Sequence, residues 1–261
     1  MRLALTRSPS PRLAECELTH LPRQPIDVDL AAAQHREYCT ALERLGCVVR
    51  KLPPEPDLPD GVFVEDPAVV LDEVAIITRC AAVGRRRETP SVEAELRPYR
   101  PIVRVTAPAT LDGGDVLVLG RTLVVGLSPR TNAAAVDQLH EHLGPHGYTV
   151  HAVPVTGCLH LKTACTTIAP DLLVVNPDWV HTAGLLAAAP QLRLMEVDPR
   201  EPRGGNHLLV DAAVLSPASC PHTVARIRES GIEVEVVDVS ELEKAEAGVT
   251  CSSLIFDVTA G

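Results

Sequence analysis

The chain has 261 residues, a formal net charge of −10, and 46% hydrophobic but only 2% aromatic residues. That length suits one compact unit with an aliphatic core, and the acidic balance argues against a nucleic-acid partner, because phosphate binding needs a basic face. The apolar start MRLAL is too short for a secretory leader and no apolar run approaches the roughly 18 residues of a membrane span, so a cytoplasmic chain with no membrane partner is expected.

In chain order, Met1 to Thr6 reads as a strand in search of a partner. Ser8 to Pro25 carries four prolines and no periodicity, and reads as a loop or a lid over a site. A helix is predicted from Val28 to Leu45, stopped by Gly46, with a strand over Cys47 to Leu52. FVEDP at 63–67 then leads into Ala68 to Leu71, an Asp72-Glu73 turn, and Val74 to Thr78. LDGGD at 111–115 leads into a tight hairpin in which Gly120, Arg121 and Thr122 separate Val116–Leu119 from Leu123–Leu127. A helix follows over Thr131 to Leu143 and a strand over Thr149 to Val155. LHLK at 159–162 leads into Thr163 to Ile168, a turn at Asp171, and Leu172 to Val175. Gly204-Gly205-Asn206 leads into His207 to Val210 and Ala213 to Leu215, then a helix over Ala218 to Ser230 and a strand over Ile232 to Val239. TCSS at 250–253 leads into Leu254 to Phe256 near the end of the chain.

These starts, near 63, 111, 159, 205 and 251, lie about 46 to 48 residues apart, a spacing typical of radial repeats. Each unit reads strand, strand, helix, strand. The last is cut by the termini, so pairing the final strand with the first would close a ring and remove its open edges. The expected fold is an α/β five-bladed pseudo-symmetric propeller of ββαβ units, one domain over 1–261.

In a radial repeat the residues that begin each first strand converge on the axis. Glu65, Asp66, Asp112, His160, Asn206 and Cys251 are therefore candidates for one central site. A thiol, an imidazole and a carboxylate to orient it form the minimal set for nucleophilic catalysis through a thiolate. Cys251 alone would read as a buried structural thiol, and His160 between two leucines as a core histidine; their common phase favours chemistry. Cys158, His160 and Cys165 match no standard zinc spacing, and His140-Glu141-His142 lacks the H-E-x-x-H register, so no metal is assigned. Asp72, Asp171 and Asp211 are turn residues. The eight cysteines, never spaced C-x-x-C, suit free thiols in a reducing compartment.

FVEDP, LDGGD, SPRTN at 128–132, LHLK and VTCSSL at 249–254 together resemble the dimethylarginine dimethylaminohydrolase family of guanidino-modifying enzymes. The resemblance spans the chain in order and implies a five-bladed α/β propeller that cuts N-methylated arginine to citrulline and an alkylamine without cofactor or metal. It makes Cys251 the nucleophile, His160 the general acid and base, and Asp112 the partner of His160. It places Asp66 and Glu65 on the guanidinium, Arg85 and Arg130 on the substrate carboxylate, and Asp60 and Leu18 near its amino group. Ala245 stands where the family carries Val or Ile, which points to a roomier pocket for the N-substituent. Arginine itself or another N-substituted arginine remains an alternative substrate, and a non-catalytic binder of arginine derivatives an alternative of another class. A homodimer is compatible with the residues, which do not otherwise bear on assembly.

Overall fold

In the computed structural model, which describes residues 1–258, the strands form five separate three-stranded sheets arranged as a five-bladed α/β propeller. Residues 259–261 of the expected single domain lie outside the described residues. The first full blade contains Ala68–Val70, Ala75–Ile77, the helix Thr89–Leu96 and Ile102–Arg104. Val116–Leu119, Thr122–Leu127, Ala133–Leu143 and Thr149–Pro154 make the second. The third and fourth repeat the plan over Cys165–Glu196 and Leu208–Val237. In every blade the first two strands pair antiparallel and the helix carries the chain back to a third, parallel strand, because parallel neighbours require a crossover.

The fifth blade closes the ring as expected. Leu254–Asp257 pairs antiparallel with Arg2–Thr6, in a register running from Arg2 opposite Asp257 to Leu5 opposite Leu254. Val48–Lys51 completes it in parallel after the helix Val28–Arg44. Aliphatic side chains fill each seam between blades as a separate cluster. Leu123 and Val125 meet Val69 and Ile76 in one seam, and Leu3, Leu5 and Phe256 meet Ala75 and Ile77 in another. With so few aromatics, the fold rests on many buried β-branched and leucine side chains, each contributing about 1.5 to 3 kcal/mol. Among the described residues no helix is long and apolar enough to cross a membrane.

Local chemistry moved some expected boundaries. The helix expected from Thr131 begins at Ala133, because Asn132 is its cap and accepts the Ala135 N–H at 3.2 Å. The helix expected from Ala218 begins at Pro221, whose fixed φ and missing N–H suit the first turn. The strand expected from Thr163 begins at Cys165, since Leu161–Ala164 makes a helical turn whose Leu161 N–H is held by Asp115 Oδ1 at 2.9 Å. That turn delivers His160 to the axis.

Candidate active site

The axis carries two compartments. Glu65 and Lys162 face a shaft of about 550 Å³ lined by the first strands, including Ala68, Val116, Leu208 and Leu254. Asp66, His160 and Cys251 face a separate cavity of only about 20 Å³, completed by Glu17, Asp60, Arg85, Arg130, Leu159 and Ala245 to Ala247. The consecutive residues Glu65 and Asp66 thus point to opposite compartments, and the pair expected at one guanidinium is divided. Glu65 makes an ion pair with Lys162 at 2.5 Å and accepts from Thr250 Oγ1 at 2.8 Å. Leu18 and Asp112 also lie outside the cavity lining: Leu18 packs on the apolar cluster around Leu13 and Tyr38, and Asp112 is buried behind His160.

His160 is fixed from both sides. Its Nε2 lies 3.2 Å from Asp112 Oδ2, and its Nδ1 lies 3.8 Å from Asp66 Oδ1. Burial works against its charge, but Asp66, Asp115 and Asp112 prevail and lift it to about 9, so the imidazole is cationic at neutral pH. Asp66 accepts from Gly114 N–H at 3.0 Å and from Arg85 Nη1 at 2.5 Å. Burial opposes its ionisation too, yet His160 and Arg85 hold it down to about 2. Asp115, buried beneath them, accepts from Ser128, Thr131 and the Leu161 N–H, while burial drives it up to about 6. It braces the loop under His160 without facing the cavity.

The two glycines of LDGGD are forced by this crowding. A Cβ on Gly114 would sit 2.5 Å from His160 Nδ1 and 2.9 Å from Asp66 Oδ1, and one on Gly113 would sit 2.1 Å from the Glu65 carbonyl oxygen. Gly114→Ala should therefore fold but push the imidazole off Asp112. A fall in kcat/KM of about 100-fold is expected, the usual result of a catalytic group displaced by about 1 Å; wild-type turnover would contradict the packing described.

Cys251 is the one cysteine of the eight that is not fully buried, and its Sγ accepts the Gly248 N–H at 3.3 Å. Burial, then Glu65 and Asp66, push its thiol up to about 12. In the resting site it is a neutral thiol beside an imidazolium. Asn206 supports it from behind, accepting the Thr250 N–H at 3.2 Å and donating to Lys162 O at 2.8 Å.

The arginines differ in how far they are committed. Arg85 is buried against Asp66 and Glu88, and donates to the Phe63 carbonyl, so both edges of its fork are engaged. Arg130 donates through Nη2 to Thr19 Oγ1 at 3.0 Å, but its buried Nη1 has no hydrogen-bond partner and stands 3.7 Å from Asp112. A buried donor left over in a cavity wall is costly unless a ligand satisfies it. Asp60 accepts the Glu17 N–H at 3.2 Å, and burial raises its carboxyl. Asp66, Asp112 and His160 also offer three potential ligand atoms within 4.8 Å of one another, but hydrogen bonds to Gly114, Arg85 and each other already occupy them. The carboxylate Glu246, which the spacing of motifs did not reveal, lines the cavity as well.

A family model described as arginine deiminase matches residues 54–191. The N(G),N(G)-dimethylarginine dimethylaminohydrolase of Streptomyces coelicolor is 44% identical over 96% of this chain and 95% of its own length. The chain belongs to the dimethylarginine dimethylaminohydrolase family. Among solved members, the Pseudomonas aeruginosa enzyme, as a cysteine-to-serine variant complexed with citrulline, superposes with a TM-score of 0.89 at 32% identity, covering 97% of this chain and 98% of that one. A histidine-to-glycine family variant, solved as its adduct with S-methyl-L-thiocitrulline, gives the same TM-score at 31% identity over 98% of this chain and all of the other.

Proposed function

We propose that the chain hydrolyses Nω-methylated arginine to citrulline and methylamine or dimethylamine through a covalent intermediate on Cys251. The convergence of Cys251, His160 and Asp66 on one enclosed cavity, with Asp112 buried against His160 just outside its lining, carries this reading. A guanidinium carbon is a weak electrophile, so it must be held beside a strong nucleophile while the departing nitrogen receives a proton. Asp66 accepts from the guanidinium N–H groups and positions the carbon near the sulfur. The bound cation, added to that of His160, favours the thiolate over the thiol, and Cys251 releases its proton to solvent as substrate docks, His160 keeping its own.

The sulfur then bonds to Cζ, and the alkylamine leaves with the proton that His160 donates from its imidazolium. Water attacks the resulting thiouronium carbon, His160 takes a proton from it, and the C–S bond breaks to release citrulline and the thiol. Asp112 keeps the imidazole oriented throughout. Arg130 presents its spare donor to the substrate carboxylate and Asp60 faces the ammonium; Arg85, a second candidate for the carboxylate, holds Asp66 in place. Cytoplasmic placement belongs to the same proposal and is supported by cysteines that are all free.

Incubation with asymmetric dimethylarginine should yield equal amounts of citrulline and dimethylamine. The match to an arginine deiminase model keeps arginine as a second substrate to compare, with ammonia as its amine product. Ala245, a small residue in the cavity wall, favours the bulkier dimethyl group.

The general acid has a signature in pH. His160 keeps its proton up to about 9, so kcat/KM should fall above that pH. Asp112→Asn removes a carboxylate that favours the imidazolium, so this alkaline limb should move to lower pH by about one unit. A limb that stays in place would separate His160 from the acid role.

A further inference from the structure

Residues near 17–21 lie against the mouth of the Cys251 cavity and are tied down by three side chains. Asp60 accepts the Glu17 N–H, and Arg130 donates to Thr19 Oγ1. Glu246 accepts three successive backbone N–H groups, from Thr19 at 2.9 Å, from His20 and from Leu21. The first two ties use the groups assigned above to the substrate's amino-acid head, so a substrate competes with the loop for them. Glu246 is free of that competition, because its carboxylate is wholly taken up by the loop amides.

Two further observations set Glu246 apart. It is buried, and its backbone is left-handed at φ 61°, a conformation that disfavours any residue but glycine and that aims the side chain at the loop. It is also two residues from Gly248, whose N–H donates to Cys251 Sγ, so one short loop carries both the tie and a hydrogen bond to the sulfur. With the loop down, the cavity of about 20 Å³ holds little more than one water and cannot admit an amino acid. The 17–21 segment has to lift and return in each cycle.

We propose that Glu246 is the latch of that lid: it selects the closed position of residues 19–21 over Cys251. It is a positioning residue, acting through the loop rather than on the reacting atoms. The kinetic part of its test rests on the hydrolase reading above; the structural part stands without it.

Glu246→Gln keeps the shape but turns an amide donor toward amide donors. Hydrogen exchange at Thr19 to Leu21 and alkylation of Cys251 by a small thiol reagent should each speed up by about tenfold, as expected for charge-assisted bonds lost from the closed state alone. The melting temperature should fall by only about 2 to 4 °C, since the closed state is also the folded ground state. KM for asymmetric dimethylarginine should rise by a similar factor with kcat largely kept. If Glu246→Gln fails to fold, Glu246→Gly removes the carboxylate while suiting the left-handed backbone, and carries the same readings. Exchange and alkylation at wild-type rates in the folded variant would overturn the latch, as would a fall in kcat at constant KM. A wild-type protein that does not turn over methylarginine would strike the hydrolase reading and leave exchange and alkylation to decide the latch.

Discussion

Cys251→Ser should reduce citrulline formation by about 10³-fold or more, the scale seen when a nucleophile is removed from a covalent mechanism. The replacement is nearly isosteric and the site gives a serine no help. The position is hydrogen-bonded by one backbone N–H, from Gly248, and lies near two carboxylates, Glu65 and Asp66, that already oppose a negative charge on the much more acidic thiol. A hydroxyl, whose ionisation is harder by several pH units, would not be activated by the substrate cation that suffices for sulfur. Folding should be unaffected, because the side chain is only half-buried and its seam is filled by Val249, Ala247 and Tyr38. Substrate affinity should persist, giving a variant that binds without turnover. Residual activity within tenfold of wild type would remove Cys251 from the chemistry.

Asp66→Asn should damage both activity and stability. Asp66 faces His160 on one side and Arg85 on the other, and takes the Gly114 N–H between them. Without its charge, the guanidinium of the substrate loses its anchor and His160 loses the first of the carboxylates that keep it protonated, so a fall in kcat/KM of about 10² to 10⁴ is expected. Arg85 would remain buried with Glu88 alone, and leaving a buried charge short of a partner costs about 3 kcal/mol. The sign of the linkage can be checked in acid. A carboxyl depressed to about 2 stabilises the fold above its unfolded value of about 3.9 and loses that contribution as pH falls through about 2. The variant should therefore lose less stability than wild type between pH 4 and pH 2, read by chemical denaturation. Unchanged activity with an unchanged acid profile would contradict the placement of Asp66.

The blade plan was legible because it depends on local signals repeated five times: paired apolar runs, a turn, a helix and a strand, each in phase. Closure of the ring could be read from two unpartnered terminal strands, and Arg2 to Leu5 do pair with Leu254 to Asp257. The phase argument also gathered Asp66, Asp112, His160 and Cys251, whose positions are set by the start of each blade. It could not separate Glu65 from Asp66, because both lie in the turn before the first strand, where the Asp66 N–H returns to the Phe63 carbonyl, and a turn has no periodicity that assigns each side chain a side. The sequence also did not show which groups Arg85 would meet: the tight helical turns of Val83–Glu88 carry its fork inward to Asp66 and Glu88. The ties that hold the proline-rich stretch from Ser8 to Pro25 were also invisible, since Glu246 lies 227 residues beyond Thr19 and only tertiary contact joins them.

The most direct test of the mechanism is intact-protein and peptide mass spectrometry of the enzyme quenched during turnover of asymmetric dimethylarginine. The peptide containing Cys251 should carry an added mass equal to the substrate less dimethylamine, and the adduct should be absent from Cys251→Ser. Steady citrulline production with no adduct on Cys251, or with the adduct on another residue, would contradict the account.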